Sequence, residues 1–465
     1  MKWRLAAIAL IVIAIARIAS TFTTFSATAD EPMHISAGLQ LLSQHRYTYQ
    51  LENPPMPRAM MAFAPWLGGM QFDPNADLST QLQRVFYTGQ TYERNLVLAR
   101  CGNLLFFAIA TVATWLWARR LLGDAGGAIA AFLFTLQPVV TGYSGLATHD
   151  AAATAGVALA LLAFDFDNAL FAGAAFGFAV ACKFSCIGYV PAAWIAILIV
   201  RRRIPRVRDV AIAALACIVV LAASYGFQPR NFIVGIRALI ELNRTGHPAY
   251  LMGRTNLTGW WMYFPIAIAL KTTLASLALI ALASVARRER GLLEPLAAVL
   301  AILAVAMTSH LDLGVRYVLP IYVPLSIAAA AVAMKLWRPL AIALLVLHAG
   351  ASIAAYPDDF PYFNVIAGRD PSRYLIDSNL DWGQDILRLA KAIDHEPVTV
   401  SLMGLHDLAA HGINGYNANA WVPAHGTVAV SDHIYRMMQI EGGWSWLAGK
   451  PYKRIGKSIR VYRLP

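Results

Sequence analysis

The chain has 465 residues, of which 58% are hydrophobic and only 14% are charged, and its mean hydropathy is +0.53. Soluble domains carry about 25% charged residues, so this composition excludes an ordinary soluble protein and indicates a polytopic membrane protein. The net charge of +12 does not indicate nucleic-acid binding, because the basic residues form short runs between apolar segments rather than one basic, aromatic-rich face.

Eleven apolar segments precede residue 356, and each is a candidate transmembrane helix because a bilayer core needs about 20 helical residues. The predicted spans cover approximately residues 3–21, 96–118, 126–143, 151–164, 169–182, 187–200, 210–227, 260–285, 292–308, 317–334 and 339–355. Ala27-Thr28-Ala29 after the first segment resembles a signal-peptidase site. The length of that segment and the polytopic chain nevertheless favour an uncleaved anchor.

The basic residues predict the orientation of these spans. They fall in alternate loops, which the positive-inside rule assigns to the cytoplasm together with the N-terminus, leaving the C-terminus outside. Alanine and arginine usage favours a bacterial inner membrane, with the active face in the periplasm. The predicted inside residues are Lys2, Arg4, Arg119, Arg120, the run Arg201–Arg208, Arg287, Arg288, Arg290, Lys335 and Arg338.

The chain changes character at residue 356, after which no apolar run is long enough to span a membrane. An amphipathic helix is predicted over 383–393 and strands over 398–403, 427–431 and 458–463. The sequence thus predicts a polytopic α-helical membrane domain over 1–355, including the outer loop 22–95, and a small soluble α/β domain over 356–465 in the periplasm.

The candidate catalytic residues directly follow the first span. Asp30 and Glu31 are adjacent carboxylates, and His34 comes one helical turn later. Alone, such a pair is more typical of a helix N-terminus, where acids are favoured. The predicted orientation, however, places it on the same outer face as His149 and Asp150. Converging carboxylates with a histidine can bind a divalent cation, so the sequence leaves open a metal site at Asp30 and Asp150.

Basic residues at the outer boundary predict an anion site. Arg316 lies there against the positive-inside bias, and an arginine offers a phosphate two parallel hydrogen bonds. Instead of binding an anion, Arg316 could form an ion pair with Asp312. Instead of contacting a phosphate, Lys183 could extend its side chain to the membrane interface. Lys271 lies inside the eighth predicted span, where a lysine needs a partner or an anionic ligand. The predicted substrate-binding set is His34, His149, Asp150, Lys183, His310, Arg316 and Tyr317.

Taken in order, these motifs resemble the GT-C glycosyltransferases, and within them the group of protein O-mannosyltransferases and lipid A aminoarabinose transferases. The resemblance rests on the Asp30-Glu31 pair, the Pro54-Pro55 element, Thr148-His149-Asp150 and the run Gly314–Pro320. The segment Asp377–Asp385 is similar to a signature of bacterial members that carry a C-terminal outer domain.

The resemblance implies a polyprenyl-phosphate-linked sugar donor, a hydroxyl acceptor and inversion at the anomeric carbon. It implies that Asp30 is the catalytic base with Glu31 beside it, that Asp150 helps bind a metal or the acceptor, and that Arg316 contacts the carrier phosphate. Protein, lipid A, glycolipid and polysaccharide acceptors all stay open. The alternative is a lipid or sugar transporter or flippase, which would predict inverted repeats or broken helices with charges at mid-membrane.

Overall fold

The computed structural model describes residues 2–283 and 289–465, and it is predominantly helical. Arg287, Arg288 and the end of the predicted eighth span lie outside the described residues. The helices are α1 (Lys2–Ala19), α2 (Glu31–Gln44), α3 (Pro55–Leu67), α4 (Leu78–Arg84), α5 (Tyr92–Thr135), α6 (Pro138–Ser144), α7 (Asp150–Asp165), α8 (Ala169–Cys182), α9 (Cys186–Arg201), α10 (Val207–Ser224), α11 (Pro229–Thr245), α12 (Tyr263–Lys271), α13 (Leu274–Ala281), α14 (Arg290–Ala306), α15 (Tyr322–Ala333), α16 (Arg338–Ala355), α17 (Ile386–Ile393) and α18 (Asp432–Ile440).

By length and composition, four helical stretches of the described chain could each cross a membrane: Tyr92–Thr135, Val207–Ser224, Val315–Ala333 and Arg338–Ala355. The pair α12 and α13 makes a fifth only if the two helices, bent by 116°, form one span. The predicted span 260–285 is therefore not one straight helix. The predicted span 126–143 is divided between the end of α5 and α6, and the remaining predicted spans lie mostly in helix. Several of these helices are short, and the count of eleven stays a prediction.

Small residues allow the helices to approach closely, as is common in membrane bundles. A Cβ at Gly156 in α7 would lie 2.5 Å from the Cα of Ala179 in α8, and one at Gly173 in α8 would lie 2.1 Å from the backbone oxygen of Ala213 in α10. The long helix α5 is interrupted at Gly123, whose φ of 79° is outside the helical range. This break separates the segments predicted as the second and third spans.

Ion pairs join several of the loops that the sequence places on the cytoplasmic side. Asp165 at the end of α7 pairs with Arg120 at 2.6 Å, Arg201 at 2.5 Å and Arg290 at 3.2 Å. Arg201 and Arg290 also bind Glu294. The structure thus gathers these loops at one end of the bundle, as alternating spans require, while the direction in which that end faces stays a prediction.

The predicted outer loop 22–95 contains three helices, α2 to α4, rather than extended polar chain. Helix α3 includes the apolar run Ala59–Leu67, whose composition is compatible with a helix at the membrane interface. Close packing of α2 on α3 depends on Gly38, where a Cβ would lie 2.2 Å from the backbone oxygen of Arg58. This compact outer layer fixes the position of the chain that carries Asp30.

The strands are β1 (Ala249–Leu251), β2 (Arg254–Asn256), β3 (Val398–Ser401), β4 (Gly415–Asn417), β5 (Gly426–Ser431), β6 (Lys453–Ile455) and β7 (Ile459–Leu464). Five of them form a sheet in the C-terminal region, in the order β4-β3-β5-β7-β6. Strand β3 is parallel to β4 and β5, and β7 is antiparallel to β5 and β6. The three predicted strands are confirmed as β3, β5 and β7, and the predicted amphipathic helix as α17. The short strands β4 and β6 were not predicted.

Candidate active site

A cavity of about 600 Å³ lies where the outer helices, the membrane bundle and the C-terminal region meet. Its wall is polar around Asp30 and becomes apolar along α9, α11 and α14, with Tyr189, Leu239 and Val305 among the lining side chains. Seven predicted site residues line it: Asp30, His34, His149, Asp150, Lys183, Arg316 and Tyr317. Two others, Glu31 and His310, are not part of the lining.

Asp30 and Arg316 form an ion pair in the polar wall, with 3.1 Å between Oδ2 and Nη2. Arg316 is well covered, but 38% of the Asp30 side chain is exposed, so this carboxylate is open to the cavity. Desolvation raises the pKa of Asp30, Arg316 opposes the rise, and the charges of Asp377 and Asp150 add to it. Water in the cavity moderates the shift. The site therefore holds a carboxylate that is more basic than an ordinary aspartate.

A second pair lies beside the first. Lys183 Nζ is 2.7 Å from Asp150 Oδ1, and the Asp150 Oδ2 atom also accepts a hydrogen bond from Thr148 at 3.0 Å. Lys183 lies 4.1 Å from the centre of the Tyr317 ring, a cation–π arrangement. Arg316 Nη1 is 3.8 Å from Asp150. Two cations therefore lie together in the cavity wall.

The two predicted histidines are in contact, with ring centres 4.1 Å apart. Arg58, which is fully buried, donates from Nε to His34 Nδ1 at 3.2 Å, so the proton of neutral His34 is on Nε2. Burial lowers the pKa of both His34 and His149, and nearby cations lower it further. Both rings are therefore neutral at pH 7, and neither adds charge to the cavity.

Glu31 points away from the cavity into the protein interior. Its carboxylate is fully buried and accepts hydrogen bonds from Arg100 at 2.8 and 2.7 Å and from the backbone N–H groups of Thr28 and Ala147, both at 2.7 Å. These bonds tie the start of α2 to α5 and to the loop before α7. Both oxygens of Glu31 are thus occupied by protein donors.

Two other predicted polar residues are engaged elsewhere. His310 Nδ1 bonds to the backbone oxygen of Asn243 at 2.9 Å. Lys271 ends α12 at the bend rather than lying within a continuous span, and its ammonium donates to the backbone oxygens of Phe360 and Asn379. Arg316 forms its ion pairs with Asp30 and Asp150, whereas Asp312 accepts the Trp260 N–H at 2.6 Å through Oδ2. The alternative in which Asp312 neutralises Arg316 is therefore wrong.

Asp377 is a cavity residue that was not predicted as a site residue, although its segment had been noticed as a signature. It begins a 3₁₀ turn, Asp377–Asn379, and adopts a φ of +56°, which is strained for a residue with a side chain. Strain of this kind clusters at functional sites. The signal available in the sequence was the density of polar residues in Asp377–Asp385 beside a single Trp.

The predicted metal site does not fit these contacts. Within residues 2–283 and 289–465, no group of three or more His, Cys, Asp and Glu side chains is arranged to hold a metal ion. Asp30 and Asp150, the two predicted ligands, are each paired with a protein cation instead. The cavity lining combines the acids Asp30, Asp150 and Asp377 with the cations Lys183 and Arg316.

Comparison with known proteins agrees with this architecture. Residues 92–225 match the family described as dolichyl-phosphate-mannose-protein mannosyltransferase. No curated protein sequence gives a match. The fold is similar to that of ArnT from Cupriavidus metallidurans bound to undecaprenyl phosphate, with a TM-score of 0.58 and 12% identity over 98% of this chain and 97% of that chain.

The apo state of the same ArnT gives a TM-score of 0.60 at 12% identity, with the same coverage of 98% and 97%. At this identity the similarity establishes the fold, and it does so over nearly the whole length of both chains. The family match adds sequence evidence over the helices from α5 to α10. Residues 92–225 therefore match a mannosyltransferase family model, and nearly the whole chain shares its fold with ArnT.

Proposed function

We propose that this protein transfers a sugar from a polyprenyl-phosphate carrier to a hydroxyl acceptor, with inversion at the anomeric carbon. The observation that carries the proposal is the cavity itself. It places an accessible carboxylate, Asp30, beside two cations, Arg316 and Lys183, and continues into an apolar wall. A polyprenyl-phosphate sugar has its parts in the matching order, with the sugar first, then the phosphate and then the apolar chain.

The cations are assigned to the phosphate of the carrier. Arg316 and Lys183 compensate Asp30 and Asp150 in the described structure, and an entering phosphate would share their charge. The apolar wall from α9, α11 and α14 leads towards the hydrocarbon in which a polyprenyl chain must stay. The undecaprenyl phosphate bound to the similar ArnT supports this class of carrier.

Asp30 is assigned as the general base. Its carboxylate takes the proton of the acceptor hydroxyl while that oxygen bonds to the anomeric carbon from the face opposite the phosphate. The bond between the anomeric carbon and the phosphate oxygen breaks, and the carrier phosphate leaves with the electron pair. General-base help is worth about 10²–10⁴-fold in rate, and cations at the leaving phosphate stabilise its developing charge.

The neighbouring acids receive different roles. Glu31 is assigned as a positioning residue, because its oxygens are bound by Arg100 and backbone donors. Asp377 is assigned to hydroxyl groups of the transferred sugar, because it faces the cavity and forms no ion pair among the described residues. Asp150 holds Lys183 at the phosphate end. No step is assigned to a metal.

The orientation predicted from the sequence completes the proposal. The cavity opens to the periplasmic side of a bacterial inner membrane, and the N-terminus is cytoplasmic. Residues 356–465 form a periplasmic α/β domain that follows the membrane domain 1–355 in the chain. The sugar and the acceptor, whether protein, lipid A, glycolipid or polysaccharide, are left open. The transporter or flippase alternative receives no support from the fold or the family match.

Profiling of lipid-linked sugars tests the proposal. Cells with the gene deleted should accumulate one polyprenyl-phosphate sugar, and expression of the wild-type protein should remove it. Expression of the Asp30→Asn protein at the same level should not. An unchanged lipid profile on deletion, with the protein shown to be expressed in the parent cells, would contradict the transferase assignment.

A further inference from the structure

We propose that the segment Asp377–Ile386 fixes the geometry of the Asp30–Arg316 pair by binding both sides of it. Ser378 is the positioning residue for Arg316, and Ser26 is the positioning residue for the backbone that leads to Asp30. The inference rests on the proposed function for its chemical meaning and deepens it. It makes the C-terminal region part of the catalytic machinery rather than an accessory domain.

On the arginine side, the Nε edge of the guanidinium is held by the segment. Arg316 Nε donates to Ser378 Oγ at 3.1 Å and to the backbone oxygen of Leu313 at 3.3 Å. The guanidinium carbon lies 4.2 Å from the centre of the Trp382 ring, which covers one face. With that edge and face occupied, the two Nη groups are directed to Asp30 at 3.1 Å and Asp150 at 3.8 Å.

On the carboxylate side, the same segment holds the chain just before Asp30. Ala29 N–H donates to the Trp382 backbone oxygen at 2.9 Å. Ser26 donates from its backbone N–H to Gln384 O and from its hydroxyl to Gly383 O, both at 2.9 Å. The ring of Trp382 therefore contacts Arg316, and its backbone carbonyl accepts a hydrogen bond from Ala29, the residue before Asp30.

The segment is itself anchored to the membrane bundle. Tyr143 donates to the Ser378 backbone oxygen at 2.6 Å, and Val315 N–H donates to Asn379 Oδ1 at 3.0 Å. Gly314, with a φ of +111°, lies so close that a Cβ there would be 2.4 Å from Ser378 Oγ. A segment held in this way has little freedom to shift, so it sets the separation of the two groups that it binds.

A cysteine reporter at Asp30 tests this without any substrate. The Asp30→Cys protein is prepared in a Cys101→Ser background, because Cys101 is the exposed thiol among the four native cysteines and the other three are buried. The rate of labelling by a small thiol reagent is measured against pH in the full-length protein. Arg316 should favour the thiolate and thereby lower the apparent pKa of the new thiol.

Ser378→Ala and Ser26→Ala should each raise that apparent pKa towards the ordinary cysteine value and slow labelling at pH 7 by about 3- to 10-fold. Ser372→Ala is the matched control. Ser372 is also buried in the C-terminal region and accepts a hydrogen bond from an arginine Nε, that of Arg436 at 3.0 Å, but it does not line the cavity. It should leave the labelling profile unchanged.

Action through the arginine is tested by combining variants. In an Arg316→Ala background, Ser378→Ala should cause no further change in the reporter. Normal labelling by a folded Ser378→Ala protein, or an equal change with and without Arg316, would overturn the positioning role. If Ser378→Ala does not fold, Ser26→Ala decides by the same measurement, because it acts on the other side of the pair.

Binding of undecaprenyl phosphate to the protein with Asp30 intact is measured in parallel. Ser378→Ala should weaken it several-fold and Ser372→Ala should not. A responsive reporter in a protein that does not bind this lipid would support the positioning role and contradict the carrier assignment. Tight lipid binding with an unresponsive reporter would contradict the positioning role alone.

Discussion

Asp30 and Glu31 are neighbours in the chain, but their carboxylates face opposite environments. Glu31 is fully buried and bound by Arg100, whereas 38% of the Asp30 side chain is exposed to the cavity beside Arg316. Glu31 fixes the start of α2 and thereby the position of Asp30, which directly precedes this helix. The two residues of the motif therefore lead to different expected phenotypes.

Asp30→Asn should abolish sugar transfer and leave folding intact. The amide cannot accept the acceptor proton, so the transfer rate should fall by about 10²–10⁴-fold. The measurement is transfer by purified protein from the carrier lipid that accumulates in deletion cells. Asp73→Asn, an exposed acid of the same outer layer, is the control and should behave as wild type. Near-normal transfer by Asp30→Asn would remove this residue from the mechanism.

Glu31→Gln should instead act on stability. Breaking a fully buried ion pair from one side costs about 3–5 kcal/mol, because the remaining charge, here Arg100, is left uncompensated. Thermal unfolding in detergent should show a large loss of stability for Glu31→Gln and a small loss of stability for Asp30→Asn. The double change Glu31→Met with Arg100→Met should recover part of the loss. A stable Glu31→Gln protein without activity would assign Glu31 to the chemistry after all.

Arg316→Ala should mainly weaken binding of the donor. The loss of a cation that contacts the carrier phosphate should raise KM and reduce undecaprenyl phosphate affinity by at least about tenfold. Arg373→Ala, which removes a largely exposed arginine, is the control. Asp312→Asn should have no effect on lipid affinity, since Asp312 bonds to Trp260 instead. Unchanged lipid affinity in Arg316→Ala would rule out the phosphate assignment.

The pH dependence of kcat/KM should be set by Asp30 on its acid side. Its pKa is raised by desolvation, so the base is protonated and inactive at low pH, and activity rises as pH passes through that raised pKa. Burial lowers the pKa of His34 and His149, so neither should add a step near pH 6–7.

Asp377→Asn should move this acid limb to lower pH, because the negative charge of Asp377 contributes to the raised pKa of Asp30. The same variant should also raise KM for the donor if Asp377 contacts the sugar. Asp407→Asn removes an acid of the C-terminal region that does not line the cavity and should leave the profile in place. An unshifted limb in Asp377→Asn would mean that the two carboxylates do not interact.

The hydrophobic pattern of the sequence is sufficient to predict much of the secondary structure. Apolar runs predicted helix at the observed positions, and alternating patterns predicted β3, β5 and β7, because both signals are local and depend on periodicity. The bend between α12 and α13 and the packing of α2 on α3 were not predicted. They depend on contacts with distant parts of the chain, as in Lys271, which ends α12 and bonds to the backbone oxygens of Phe360 and Asn379.

For the site, the sequence determined which chemical groups are available on the face predicted to be outside, and the charge pattern and motif order singled out Asp30, Asp150 and Arg316. Only the tertiary structure decided their partners. Arg316 pairs with Asp30 rather than with Asp312. Glu31 and His310 do not line the cavity, whereas Asp377 does. The physical reason is that pairing depends on side-chain direction and on separations of a few ångströms, which spacing along the chain does not encode.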